Sequence, residues 1–450
     1  MPVNLTEGSL FKNIAAFSTP YFAAYFLQTL YGLADLFIVG QFEGADAITA
    51  VAVGSQVMHF LTVMIVGLAM GTTVLTSRAV GAGNLRSVSR ITGNTIILFS
   101  LVAVISTILL QLLCSPIVNL LKTPPEAIEG TIHYLRICFA GIPLIVAYNL
   151  IAAVFRGMGD SKRPMYFILI ACVLNILLDY VFMGGMRLGA AGAALATILA
   201  QSMSVFIFLF AVKKFHWGIP LCRRDFRPHK ALFKGLLNIG APIATQDGFI
   251  QVSFLFITMI ANSRGVEIAA AVGIVEKIIT FLFLVPSTML STISAIAAQN
   301  IGAGKKDQAK KTLWTGTAIT AGIGFFFAVL FQPFSEPFLA LFTSDASVIK
   351  FGTEYLRTYV IDCLIAGIHF CFSGYFCACG LSILSFVHNA ISIVLFRIPG
   401  TWLAARYFPD TLTPMGLAAP AGSLFSVLFC FFAYWILQKS LLLQKDSARA

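Results

Sequence analysis

The stretch from Ile91 to Cys114, ITGNTIILFSLVAVISTILLQLLC, runs without a single charged side chain. About 20 such residues cross the hydrocarbon core of a bilayer as a helix. Outward from it, further long apolar runs can be marked. Before it lie Ile14–Val39 and Ala47–Ser77; after it come Thr131–Phe155, Pro164–Met183 and Ala190–Val212. A second set follows: Asn238–Ala261, Ile268–Ala298, Thr312–Phe331, Thr353–Ala378, Ile383–Ala405 and Met415–Leu437. The 450-residue chain is 58% hydrophobic and 11% charged, whereas soluble domains carry about 25% charged residues. A soluble enzyme is excluded. In lipid the backbone must satisfy its own polar groups, so each run is expected to be a helix. The fold class is therefore an all-α integral membrane protein with twelve transmembrane helices.

Charge orients the spans, because cytoplasmic loops collect lysine and arginine. One set of loops holds most of the thirty basic residues, among them Arg78, Arg86, Arg90, Arg156, Lys162, Arg163, Lys305, Lys306, Lys310 and Lys311. The opposite set holds Lys122, Arg136, Arg187, Arg264, Lys350, Arg357 and Arg406. Both termini are thus expected in the cytoplasm, in a multi-pass protein of a prokaryotic cytoplasmic (inner) membrane. Met1 to Lys12 shows no cleavable-signal pattern. The basic stretch Lys213 to Lys234 reads as a solvated cytoplasmic linker facing anionic lipid headgroups, not as a nucleic-acid surface. The nine cysteines form no CxxC pair and lie mostly in apolar runs, so neither a disulfide framework nor a metal site is expected.

The two sets of spans match each other. Pro20 recurs as Pro242, Gly44-Ala-Asp46 as Gly265-Val-Glu267, and Ala50-Val-Ala-Val-Gly54 as Ala269-Ala-Ala-Val-Gly273. Gly81-Ala-Gly83 recurs as Gly302-Ala-Gly304, Tyr134-Leu-Arg136 as Tyr355-Leu-Arg357, and Gly159 as Gly380. The shift between partners is nearly constant along the chain, which chance matches would not hold. It covers six helices, an even number, so both halves cross in the same sense. This is a parallel repeat about an axis along the membrane normal, an arrangement that places a solute site near the midplane. The expected organisation is an N-terminal lobe over 1–212, a basic linker over 213–237 and a C-terminal lobe over 238–450.

Three motifs carry a family resemblance. They are Pro20 with Leu33-Ala-Asp35-Leu-Phe-Ile-Val-Gly40 and Ala50-Val-Ala-Val-Gly54, then Phe155-Arg-Gly-Met-Gly-Asp-Ser-Lys162, and the paired Gly-Ala-Gly turns. With them the chain resembles the multidrug and toxic compound extrusion (MATE) transporters, most of all their proton-coupled prokaryotic branch. The resemblance implies a V-shaped pair of six-helix bundles. It also implies a secondary active antiporter that exports organic, cationic drugs or toxic compounds by alternating access in exchange for protons or sodium ions. It places a cation-coupling site at Asp35, Asn175, Asp179 and Thr197, and a conformational switch at Pro20. The sodium-coupled branch carries acids in helices seven and ten; Asp247 and Asp362 lie there but about a turn from the matching places. Protons are therefore expected ahead of sodium, with no other cofactor, no nucleotide, and a monomer among membrane lipids.

The residues support that chemistry on their own terms. Ionisable groups within spans cost about 2.5–3.5 kcal/mol each at a helix centre and mark functional pathways. Apolar surroundings disfavour the charged form of a carboxyl group, and a second carboxylate disfavours it further. A carboxyl group that is dry in one state and wet in another can take a proton on one side and release it on the other. Asn175 and Asp179 are four apart and share a helix face. Asp247 and Gln251 share one likewise, and with Glu276, Lys277 and Asp362 they form a second candidate set for substrate or cation. Arg397, near Pro399-Gly400, reads either as serving a helix break or as a partner for an acid, and His59, His369 and His388 as packing residues.

Two other functions compete with export. A lipid or lipid-linked saccharide flippase shares a related architecture but calls for a cationic cavity; here the acids within spans outnumber the bases Lys277 and Arg397. A membrane hydrolase lacks its motifs, since neither HExxH nor GxSxG occurs. The glycine turns lack phosphate-loop spacing, which leaves an ion gradient as the energy source.

Overall fold

Long apolar runs fold as helices because the helix closes every backbone hydrogen bond within itself. In the computed structural model, which describes residues 2–215 and 220–447, that rule accounts for the architecture. The helices are α1 (Leu10–Phe42), α2 (Ala45–Gly81), α3 (Leu85–Leu120), α4 (Pro125–Ala140), α5 (Ile142–Gly157), α6 (Lys162–Asp179), α7 (Gly189–Lys214) and α8 (Lys230–Asn262). They continue as α9 (Val266–Leu282), α10 (Leu284–Gly302), α11 (Lys306–Leu339), α12 (Ala346–Tyr359), α13 (Ile361–Cys379), α14 (Ser382–Ile391), α15 (Ile398–Tyr407) and α16 (Thr413–Ser447). Among the described residues eleven helical spans are long and apolar enough to cross a membrane, and a bent pair, counted as one span, makes a twelfth.

That bent pair is α4 and α5, the fourth span, which turns by 48° at Gly141. Pro143, in the first turn of α5, cannot donate to the turn before it. Gly141 makes room for the neighbouring helix: a Cβ there would lie 2.2 Å from Ile198 Cδ1 on α7. Pro20 behaves differently. It is buried within α1, which runs unbroken through it. The loss of one N–H donor is carried by the turns on either side, so the proline does not interrupt the span.

The chain divides into two compact units. The first is Met1–Ala244 with Gln299–Lys305, so the start of α8 and the end of α10 belong with the N-terminal helices. Its core packs α6 against α1 and α7, and α2 against α4 and α5. Within this unit α2 and the end of α10 meet backbone to backbone. A Cβ on Gly81 would fall 1.8 Å from the Gln299 carbonyl, and one on Gly302 would fall 2.0 Å from the Arg78 carbonyl. The two contacts are reciprocal, and they use the first glycine of each Gly-Ala-Gly repeat. The second glycine, Gly83 or Gly304, takes a left-handed φ of 69° or 74° and ends the helix.

An extended segment before α1 joins the same place. Gln299 accepts from Leu5 N at 2.6 Å and donates to the Val3 carbonyl at 3.0 Å, while Val3 N donates to the Met158 carbonyl at 2.8 Å.

The linker keeps most of its side chains exposed, Asp225 being the buried one among residues 220–229, while its backbone is tied to the protein. Residues 216–219 lie outside those described, but residues 220–229 are docked on α3, where Asn94 binds the carbonyls of Asp225 and Arg227 and the amide of His229.

The second unit is Thr245–Ala298 with Lys306–Ala450. It packs α11 and α16 against α13, and α9 against α12. Trp314, Phe372, Phe431 and Tyr434 form one aromatic cluster, with ring centroids 5.0 to 6.1 Å apart.

Candidate functional site

In the first unit α1, α6 and α7 bring four polar side chains into the apolar interior. Asp35 on α1 is 2% exposed, Asn175 and Asp179 on α6 are 2% and 0% exposed, and Thr197 reaches in from α7. The i, i+4 spacing on α6 stacks Asn175 and Asp179 on one face. Thr197 donates to Asp35 Oδ2 at 3.3 Å and also to its own helix at the Ala193 carbonyl, at 3.0 Å. Asp179 and Asn175 lie within short electrostatic range of Asp35. No hydrogen bond closes among them: Asp35 Oδ1, both carboxylate oxygens of Asp179 and both amide atoms of Asn175 are buried without a partner. Buried polar atoms nearly always find partners in a finished core. Five such atoms lie together here.

Immediately after Asp179 the helix widens into a π-helical segment, Tyr180–Gly185. Single π turns recur at functional sites, because they re-aim the side chains beside them. A small pocket adjoins the four residues, lined by Tyr31, Ala171, Asn175, Thr197, Ala200 and Gln201, with room for about one water. Gln201 donates to the Tyr31 hydroxyl at 3.4 Å. Sequence reasoning misses both residues, although the signal is there. Tyr31 is one turn before Asp35, and Gln201 is one turn after Thr197.

Pro20 lies on α1 several turns before Asp35, toward the other end of the helix and away from the four polar residues.

The second unit separates its candidates. Asp247 and Gln251 are half-buried on α8, and Lys277 is exposed. Glu276 accepts from Thr258 at 3.2 Å and leaves Oε1 unpartnered. Asp362 is 2% exposed with Oδ1 unpartnered. Between these acids stands Arg397, 8% exposed. It bonds the Tyr359 hydroxyl and lies 4.6 Å above the Phe254 ring. Both acids act on it electrostatically, although neither forms an ion pair with it within 4.0 Å. Buried His388 shares a 3.0 Å hydrogen bond with Ser373, and its ring centroid is 5.3 Å from that of His369. His59 is exposed. Among the described residues none of the nine cysteines forms a disulfide, and no group of three or more His, Cys, Asp or Glu could hold a metal.

The family profile MatE matches twice, over residues 20–181 and again over 242–403. The chain belongs to the MatE family. The two matches fall one on each half of the internal repeat. Along its whole length this MATE protein is similar to a probable multidrug resistance protein, YpnP, of Bacillus subtilis, 28% identical over 96% of both chains. It is also similar to a second such protein of that organism, YoeA, 24% identical over 96% of this chain and 95% of the other. A crystal structure of MATE in the straight conformation superposes with a TM-score of 0.90 at 21% identity, over 98% of each chain. The all-helical, multi-pass membrane fold is that of the family, whose members transport solutes and catalyse no covalent reaction.

Proposed function

We propose that this MATE protein exports organic, cationic drugs or toxic compounds by antiport, and that protons, ahead of sodium ions, are taken up at Asp35 and Asp179. The observation that carries the reading is the burial of these two carboxyl groups together, with Thr197 as the one hydrogen-bond donor to either among the described residues. Two neighbouring carboxylates in a dry site cannot both stay ionised at low cost. A proton or a small cation relieves them, and its departure recharges them. Asn175 would turn its amide to whichever state is present, and Tyr31 and Gln201 would hold the water that hands the proton on. The names of the relatives support drug export, and the acidic character of the site supports a cationic substrate.

The second unit supports the same assignment by contrast. Glu276 and Asp362 already have the fixed charge of Arg397 in their surroundings, so an added cation gains less there. Asp247, Gln251 and Lys277 would then serve substrate passage.

The test is uptake of a fluorescent organic cation into liposomes holding the purified protein, with pH and sodium gradients imposed separately. The proposal expects transport with the pH gradient alone. Transport driven only by sodium would overturn the ion, and transport with neither gradient would overturn antiport.

A further inference from the structure

The docked linker carries an arrangement that export does not use. Its seat is on α3 at a definite depth. Ser89 donates to the Pro220 carbonyl at 3.0 Å. Asn94, 2% exposed, donates to the carbonyls of Asp225 and Arg227 at 3.3 Å each and accepts from His229 N at 2.8 Å. Gly93 lets the linker backbone lie directly on the helix, since a Cβ there would fall 2.3 Å from the Asp225 carbonyl. The contacts of Gly93 and Asn94 sit just inside the apolar run that begins at Ile91. They are about 12 Å along α3 from its first residue, at 1.5 Å per residue. With the start of that apolar run taken as the edge of the hydrocarbon, the linker backbone lies level with that edge.

The one acid of this turn faces inward. Asp225 is buried and takes the Cys222 amide at 2.9 Å and the Cys222 thiol at 3.0 Å. Its neighbours Arg223, Arg224 and Arg227 are exposed, and Arg86 and Arg90 on α3 lie within electrostatic reach of the same turn. Two apolar side chains stand among the arginines without cover, Leu221 at 42% and Phe226 at 40% exposed. In water such side chains would be a liability. At the bilayer interface, apolar side chains enter the acyl boundary while arginines reach up to phosphate.

We propose that Arg86, Arg90, Arg223, Arg224 and Arg227 form a binding site for the phosphate headgroups of anionic phospholipids, with Leu221 and Phe226 seated in the acyl chains beneath. Guanidinium groups bind phosphate through paired hydrogen bonds. Basic residues at a membrane surface contribute about 1 kcal/mol each toward anionic lipid. A nucleic acid fits less well, because a turn lying against a membrane-spanning helix at the hydrocarbon border is out of reach of a duplex.

The experiment is native mass spectrometry of the full chain in detergent, titrated in separate arms with phosphatidylglycerol, phosphatidylcholine and inorganic phosphate. The expected result is saturable retention of phosphatidylglycerol that millimolar phosphate does not displace. The triple variant Arg223→Gln, Arg224→Gln, Arg227→Gln should weaken retention roughly tenfold or more. Removal of equal charge elsewhere, by Lys306→Gln, Lys310→Gln, Lys311→Gln, should leave it unchanged. Equal retention of phosphatidylcholine, or equal loss in both triple variants, would overturn the site. So would displacement by free phosphate or by a short RNA. Should the glutamine variant not fold, the wild-type lipid comparison still decides, and an Arg→Lys triple variant should keep the lipid preference within a few fold.

Discussion

Thr197 on α7 donates its hydroxyl hydrogen to Asp35 Oδ2 on α1 across 162 positions of chain, and it is the one donor to that carboxyl group among the described residues. The bond is shared with the Ala193 carbonyl, so it is held loosely. Such a donor orients an acid without fixing its charge.

Asp35→Asn should therefore abolish gradient-driven export while leaving the protein folded. The amide keeps the shape of the carboxyl group but can neither take nor release a proton. We expect transport in liposomes to fall at least tenfold, with thermal unfolding at or above the wild-type temperature. Wild-type transport by this variant would refute the coupling role.

Thr197→Val should slow export by a factor of about two to ten, corresponding to a hydrogen bond worth about 0.5–1.5 kcal/mol. Thr197→Ser restores the hydroxyl and should restore most of the rate. If valine and serine behave alike, the hydroxyl does not act on Asp35. Initial rates across a pH series would show whether the donor also shifts the pH at which export is half-maximal.

Gly81→Ala should force α2 and α10 apart, because the added carbon would fall 1.8 Å from a backbone carbonyl that has no rotamer to yield with. Overpacking of this kind costs about 1–3 kcal/mol. Gly302→Ala should cost a similar amount. The double variant should cost less than the sum, since the first separation makes room for the second. Thermal unfolding of the three purified variants measures this.

Arg397→Met should destabilise the second unit and sensitise it to high pH, by leaving Glu276 and Asp362 without a compensating cation. Adding Glu276→Gln should recover part of the loss. Unfolding midpoints across a pH series would test it, and an unchanged single variant would show that the acids do not depend on the arginine.

The linker turn should depend on Asp225. Hydrogen bonds from the Cys222 thiol and amide, with Arg86 and Arg90 nearby, hold its carboxyl group below the usual carboxylate range. An acid so depressed stabilises the docked turn at all pH above its ordinary value, about 4, and the contribution is lost as pH falls through its own lower value. Asp225→Ala removes that support at neutral pH. Limited trypsin digestion should then cut after Arg223 and Arg224 faster than in wild type, while the bond after Arg227 stays uncut because Pro228 follows it.

Much of this was legible in the sequence for simple reasons. Spans declare themselves because hydrocarbon tolerates few charges, and the run from Ile91 needed no context to be read. The repeat was visible because the glycines of both Gly-Ala-Gly turns are required by backbone geometry, which side-chain drift cannot replace. The break at Gly141 had its signal in Gly141-Ile-Pro143, but an uninterrupted apolar run on both sides concealed it. The meeting of Asp35 with Asp179 could not be derived from spacing, since they stand on the first and fifth spans, far apart in the chain; resemblance alone suggested it. The π segment after Asp179 has no side-chain signature. The seat of the linker depended on Gly93 and Asn94, which inside an apolar run look like ordinary tolerated small and polar residues.

The bend in the fourth span reaches further than its own helix. Ile198 fills the space that Gly141 leaves open, and the next residue back along α7 is Thr197. Any side chain added at the bend would press on the rung adjoining the hydroxyl that steadies Asp35. On the coupling proposed for Asp35, bulk introduced at this corner would be felt as altered proton handling, at a position that carries no polar atom of its own beyond the backbone.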